Sequence, residues 1–208
     1  MTTSQVKLES IRDHIPLIFD DVALILQKLI HTFQYKSVLE IGTAYGFSAH
    51  SMADAGGKII TVERNLERFN KAKLLLSQSN HIDSIEILHQ DAKTLKFNAN
   101  QFDLIFIDGA KSQYQNMFKL LSPFLKSSGM IICDNMYFHH LKKEDVKRHT
   151  RQLLRKIEAF HEFLKDHDVF DSHVYDIGDG LSISIHRNNE DIIRTKKMIE
   201  MLIHEVKT

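Results

Sequence analysis

Short runs rich in β-branched and aliphatic residues alternate with longer runs whose apolar positions recur every three or four residues. Ser37–Ile41 (SVLEI) reads as a buried strand, and Phe47–Ala53 as the helix that follows it. Lys58–Val62 is a second strand. Leu66–Gln78 is helical, with Leu66, Phe69, Leu74 and Leu76 set among charges. Ser84–Leu88, Asp103–Ile107 (DLIFI) and Met130–Cys133 read as further strands, with a helix from Tyr114 to Leu125 between the last two. This alternation predicts an α/β fold, a doubly wound and mostly parallel sheet with helices on both faces. Such sheets bind ligands beyond the carboxyl ends of their strands, so the residues just after each strand carry the candidate chemistry.

After Asp134 the pattern changes. A loop leads to a long helix, Val146–Lys165, with an apolar stripe at Leu153, Leu154, Ile157, Phe160 and Phe163–Leu164. Val169–Ile177 and Leu181–His186 flank Gly178-Asp179-Gly180, which predicts an antiparallel hairpin closing one edge of a seven-stranded sheet. Asn189–Val206 predicts a final amphipathic helix with Asn188 or Asn189 as its cap. The expected organisation is a single domain over 1–208, with 1–36 as a helical cover and 189–208 as an extra C-terminal helix.

Composition narrows the class. The 208 residues are 43% hydrophobic and 26% charged, which excludes a disordered chain. No apolar run approaches the roughly 18–20 residues of a membrane span, so no membrane partner is expected. Met1–Arg12 is polar and lacks an apolar signal core, and Cys133 is the only cysteine; both fit a cytoplasmic setting. The 27 basic and 27 acidic residues balance, which excludes a uniformly basic nucleic-acid binder. The balance conceals a local imbalance. From His139 to Lys156 seven bases meet two acids, Glu144 and Asp145. From Ile157 to Asp179 seven acids meet one base, Lys165.

Two strand ends carry the candidate chemistry. Glu40-Ile41-Gly42-Thr43-Ala44-Tyr45-Gly46 lies between the first strand and first helix, where glycines let backbone approach a ligand. The next strand runs into Glu63, whose carboxylate can accept both hydrogen bonds of a ribose diol. The alternative is a plain turn with a surface glutamate. Asp108 ends DLIFI, Lys111 lies one turn beyond, and Asp134-Asn135 follow the next strand. Two carboxylates and an amide oxygen suit a hard divalent cation such as Mg²⁺ and not structural zinc. Asp134-Asn135 alone reads equally well as an ordinary turn.

The spacing E-x-G-x-x-x-G from Glu40 to Gly46 resembles the cofactor motif of class I S-adenosylmethionine-dependent methyltransferases. The resemblance implies that Glu63 binds the ribose, Asp91 the adenine amino group and Ser48 the methionine carboxylate, while Ile18 covers the cofactor. It adds Glu40, Gly42, Tyr45, Gly46, Arg64, Ala92 and Asp108 to the cofactor-binding set. The segment FDLIFIDGAKSQYQNMFKLLSPFLKSSGMIICDNMYFHH resembles the cation-dependent O-methyltransferases, which include catechol and caffeoyl-CoA O-methyltransferases. That resemblance makes Asp108, Asp134 and Asn135 the ligands of Mg²⁺ or another divalent cation. It gives Asp108 and Lys111 catalytic roles, Lys111 as base or orienting cation, and implies a homodimer.

A cation held this way selects a vicinal oxygen pair, which catechols and 5-hydroxyuridine both possess. A small catechol needs no basic stretch beside the metal ligands, but an RNA backbone gains from one. Lys142, Lys143, Lys147, Arg148, Arg151 and Arg155 are the candidate RNA-binding residues. The competing explanation is a solvated helix face, since Arg148, Arg151 and Arg155 recur at helical spacing. The stretch DNMYFHHLKKEDVKRHTRQLLRKIEAFHEFL, followed by DIGDGLSIS, is similar to the bacterial branch that methylates tRNA 5-hydroxyuridine at the wobble position. The resemblance implies a tRNA substrate. A small-molecule O-methyltransferase and a non-catalytic RNA- or cofactor-binding protein on the same fold are the alternatives.

Overall fold

The computed structural model describes residues 1–137 and 146–208. Its strands are β1 (Ser37–Ile41), β2 (Lys58–Glu63), β3 (Ile85–His89), β4 (Phe102–Ile107), β5 (Leu125–Cys133), β6 (Phe170–Tyr175) and β7 (Leu181–His186). Its helices are α1 (Thr3–Arg12), α2 (Asp20–Phe33), α3 (Phe47–Asp54), α4 (Leu66–Ser77), α5 (Tyr114–Leu121), α6 (Arg148–Lys165) and α7 (Ile192–Lys207). The strands form one sheet in the order β3-β2-β1-β4-β5-β7-β6. The first five are parallel, and β7 runs antiparallel to both β5 and β6. The doubly wound sheet with an antiparallel C-terminal edge is therefore the one the periodicity predicts.

The central strand β4 and the end of β5 read as apolar runs because both faces of the sheet are covered there. Along β4, Leu104 and Phe106 join the core beneath α1, α2, α3 and α7. Their neighbours Ile105 and Ile107 join the opposite core with Tyr114 and Phe118 of α5 and Phe160 of α6. Phe118 meets Phe160, Phe163 and Phe170 at ring-centroid distances of 6.1, 5.7 and 5.1 Å, which clamps α5, α6 and β6 together.

Two helix boundaries differ from expectation by three residues or more. The predicted helix 114–125 ends at Leu121, because Pro123 starts a 3₁₀ turn over Ser122–Phe124, and β5 begins at Leu125. The last helix begins at Ile192, with neither Asn188 nor Asn189 as its cap. Asn189 instead accepts the Asp191 N–H at 2.9 Å, which forms a turn before the helix. Ile199, Leu202 and Ile203 of α7 are buried in the core that contains α2, and Glu205 pairs with Lys28 of α2 at 2.7 Å. Part of the apolar face of this helix thus packs on its own chain, while Ile193 and Met201 stay exposed. Among the described residues no helix is long and apolar enough to cross a membrane.

Asp103 ties the amino ends of the parallel strands together. Its carboxylate accepts the N–H groups of Lys36 and Ser37 at 2.9 and 2.8 Å, the Ser37 hydroxyl at 2.9 Å and the Lys126 ammonium at 2.8 Å. Burial pushes this carboxyl up, but the Lys126 ammonium and the Ser37 and Lys36 donors outweigh it and hold the group below the usual range. A lowered folded-state pKa contributes stability above the unfolded value, and the contribution disappears as pH falls through the folded value. Asp103→Ala should therefore cost roughly 1–3 kcal/mol in urea melts at neutral pH, from donors left unsatisfied. The deficit should shrink below about pH 4. A deficit independent of pH would show that the carboxylate charge is not what holds the strands.

Candidate active site

The site forms where β1 and β4 end side by side. Asp108 N–H donates to Ile41 O at 2.9 Å, and Gly42 N–H donates to Val62 O at 3.0 Å. Gly42 adopts φ +105°, and a Cβ placed there would stand 2.1 Å from the Asp108 carbonyl oxygen. Only glycine fits at that crossing. The chain then swings through Gly46, at φ +94°, into the first turn of α3.

A cavity of about 330 Å³ opens above this crossing, within the size range of ligand sites. Gly42, Glu63, Arg64, Asp91, Ala92, Asp108 and Lys111 line it. Seven of the residues expected from sequence are thus brought together. Glu63 is held by the Ala44 N–H at 3.0 Å on one oxygen and the Asn65 N–H at 2.8 Å on the other. Each oxygen keeps a lone pair for a diol. Asp91 caps the short 3₁₀ turn Ala92–Thr94 by accepting the Lys93 N–H at 2.9 Å.

Other expected cofactor residues lie beneath or beside the cavity. Glu40 is fully buried; its two oxygens accept the hydroxyls of Ser48 and Thr61, and Thr61 meets Thr43 at 2.6 Å. Glu40 and Ser48 therefore brace the loop from below. Burial pushes the Glu40 carboxyl up to about 7, against the two donated hydroxyls and with help from the charges of Asp108 and Glu63. Tyr45 donates its hydroxyl to Asp13 at 3.1 Å, tying the loop to the end of α1. Ile18 is buried in the core; Pro16, from the same segment, is the residue that reaches the cavity. The periodicity gave no signal for that proline.

Asp108 and Lys111 form the rim of the cavity, with Nζ 3.8 Å from Oδ1. Asp134 and Asn135, just after β5, do not line the cavity. Asp134 is 1% exposed, and its Oδ1 accepts the Asn135 N–H at 2.7 Å. The Tyr114 hydroxyl donates to its carbonyl at 2.9 Å. Asn135 takes φ +55°, a conformation that asparagine tolerates better than most residues. Burial, and then the charge of Asp108, push the Asp134 carboxyl up to about 7. Burial likewise raises Asp108, against the pull of Lys111. A buried carboxylate whose charge the half-buried Asp108 disfavours, beside an amide, forms with Asp108 an oxygen set that a divalent cation would neutralise. Among the described residues no three His, Cys, Asp or Glu side chains gather as a metal cluster, so the fit depends on the asparagine oxygen. Cys133 is fully buried and its thiol is pushed up to about 12 by burial, so it is a core residue without nucleophilic character.

A second hollow of about 550 Å³ shares Gly109, Ala110 and Lys111 with the first. Its other wall is α6, through His149, Gln152, Leu153 and Lys156. The expected RNA-binding residues stand elsewhere. Lys142 and Lys143 lie outside the described residues. Lys147 precedes α6, while Arg148, Arg151 and Arg155 occupy exposed positions along it. At about 100° per residue, these arginines are turned roughly 100° from His149, Gln152 and Lys156, and lie nearly opposite the buried stripe. The first turn of α6 holds no acid and no side-chain cap. Lys156 belongs to the basic stretch but was not singled out, because only the helix's rotation shows which cations face the hollow.

A doubly wound sheet with a glycine crossing, a strand-end acid and a nucleoside-sized cavity at its carboxyl ends is the arrangement that the resemblance to class I methyltransferases implies. The chain belongs to the O-methyltransferase family, whose sequence profile matches residues 11–187. Members of this family move a methyl group from S-adenosylmethionine to oxygen. The chain is 25% identical over 174 residues to tapetum-specific methyltransferase 1 of Arabidopsis thaliana, covering 78% of this chain and 75% of that one. It is 29% identical over 119 residues to catechol O-methyltransferase of Niastella koreensis, and spans only about half of that protein, 54%. A crystal structure of a Staphylococcus aureus protein provisionally named caffeoyl-CoA O-methyltransferase superposes with a TM-score of 0.82 at 28% identity, over 89% of this chain and 92% of that one.

Glu40 offers a test of the loop's bracing. Its folded-state pKa lies above the ordinary 4.5, so it contributes most to stability in acid and loses that contribution as pH rises through about 7. Glu40→Gln has no such proton to lose. The melting temperature of the variant relative to the native protein should rise steadily across that window in differential scanning fluorimetry. A pH-independent difference would rule out a protonated Glu40 beneath the loop.

Proposed function

We propose that this chain methylates the 5-hydroxyl of 5-hydroxyuridine in tRNA, with S-adenosylmethionine as methyl donor and a divalent cation, Mg²⁺, as cofactor. The observation that carries the reading is the hollow that adjoins the Asp108–Lys111 rim, lined among the described residues by Lys111, His149 and Lys156 and by no carboxylate. A bare catechol offers nothing for that wall to hold, whereas a nucleotide's backbone does.

In this reading Glu63 holds the donor's ribose and Asp91 its adenine, with the loop fixed from below by Glu40, Ser48 and Thr61. Asp108, Asp134 and Asn135 would hold the cation. When bound, the cation makes a neighbouring hydroxyl more acidic and fixes two vicinal oxygens together. Lys111, on the rim, would take up the hydroxyl proton as a neutral amine; as an ammonium it would stabilise the oxyanion while the proton passes to water. The C–O bond forms as the C–S bond breaks, the sulfonium becomes a neutral thioether, and the hydroxyl proton leaves. Most of the remaining acceleration comes from aligning oxygen, methyl carbon and sulfur. The names of the catechol and caffeoyl-CoA relatives support a second reading, transfer to a small diol.

Purified protein with S-adenosylmethionine and Mg²⁺ should convert 5-hydroxyuridine in tRNA to 5-methoxyuridine, read by mass spectrometry of digested nucleosides. EDTA should stop turnover, and added Mg²⁺ should restore it. Transfer to a catechol but never to tRNA would overturn the tRNA reading. Asp134→Ala should abolish turnover while S-adenosylhomocysteine binding, measured by calorimetry, stays close to native. Loss of both together would remove Asp134 from the metal set.

A further inference from the structure

We propose that Lys156 and His149, across from Lys111, form a phosphate-binding subsite that holds the acceptor substrate by a phosphate next to the reacting group. The inference rests on the reading of the Asp108–Lys111 rim as the place of methyl transfer.

Lys156 lines two hollows, and both of them also touch Lys111 and Ser112. The first is the roughly 550 Å³ hollow walled by His149, Gln152 and Leu153; the second, of about 260 Å³, continues past Tyr114, Gln115 and Asn116. Among the described residues neither hollow is lined by a carboxylate. By contrast the cofactor cavity is lined by Glu63, Asp91 and Asp108 as well as bases. Lys111 pairs with Asp108 at 3.8 Å, but Lys156 faces it across a wall on which no described residue carries a carboxylate, and such a wall favours anions. The other donors along it, Gln152, Ser112, Gln115 and Asn116, are neutral side chains that hydrogen-bond phosphate oxygens without adding charge.

Placement favours Lys156 over the arginine row as the contact. α6 is fixed by Phe160, which lies one turn beyond Lys156 and packs on Tyr114 and Phe118 at 5.6 and 6.1 Å. The wall therefore stands at a set distance from the Lys111 rim. Arg148, Arg151 and Arg155 do not line the hollow, so they can steer an anion but not seat it beside the reacting atom. Lysine is suited to this task, because it meets phosphate as a point charge without a fixed fork geometry. Two acceptors carry such a group: an RNA phosphodiester and a phosphorylated small molecule.

The test uses the full chain loaded with S-adenosylhomocysteine and a fluorescein-labelled anticodon stem-loop RNA. Lys156→Gln should weaken binding by about tenfold, the scale of one charged hydrogen bond. It should also lower the slope of log affinity against log salt by nearly one. Melting temperature and S-adenosylhomocysteine affinity should not change, since Lys156 is exposed. With the nucleotide-free substrate 5-hydroxyuridine, kcat and KM of the variant should match the native protein, and with the stem-loop only KM should rise. An unchanged salt slope, or equal losses on nucleoside and stem-loop, would overturn the subsite. If the native protein binds no stem-loop RNA, the tRNA reading fails, and coenzyme A becomes the probe. Coenzyme A binding that Lys156→Gln removes would keep the subsite with a small phosphorylated acceptor. Absence of binding by either probe would overturn the subsite as well.

Discussion

The close crossing of two backbone segments governs the rest of the site. Gly42 lies so near the Asp108 carbonyl that no side chain fits between them. That contact puts the loop after β1 and the strand end bearing Asp108 against each other, leaving a cavity with Asp108 and Lys111 on its rim. Glu40 makes the crossing possible from below. Its carboxyl joins β1 to β2 through Thr61 and to α3 through Ser48, so the glycine-containing loop rests on a hydrogen-bonded floor. The apolar sheet gives this arrangement stiffness, because its strands are buried on both faces.

Much of this was legible in the sequence. The five parallel strands are apolar runs, and their periods differ from those of the helices between them. The two acids Glu63 and Asp108 sit at strand ends, which any parallel sheet must place on one side. Other features were not legible for physical reasons. Glu40 occupies the motif position of a ligand-binding acid, yet the same residue type serves equally well under the loop; only burial distinguishes the two. Ile18 and Pro16 are two residues apart, and the turn before α2 alone decides which one reaches the cavity. The end of α5 at Leu121 follows from Pro123, a breaker that an apolar count overrides too readily.

The basic stretch shows the same limit at larger scale. One-dimensional charge counting finds seven cations together but cannot say which way a helix is rotated. The buried stripe Leu154, Ile157, Phe160 and Leu164 fixes that rotation. It separates a pocket-facing edge at His149, Gln152 and Lys156 from an outward row at Arg148, Arg151 and Arg155. Hydrophobic periodicity thus determines the meaning of the charges, and the two patterns must be read together.

The first turn of α6 has a further consequence. Helix peptide dipoles sum to a partial positive charge at the amino end, where acids are stabilising and bases are not. α6 reverses that preference, with Arg148 and Arg151 in its uncapped opening turn and Glu158 and Glu162 further along. The helix is therefore electrostatically frustrated where it enters the site. An anion lying across that end would meet the helix dipole and these two bases together.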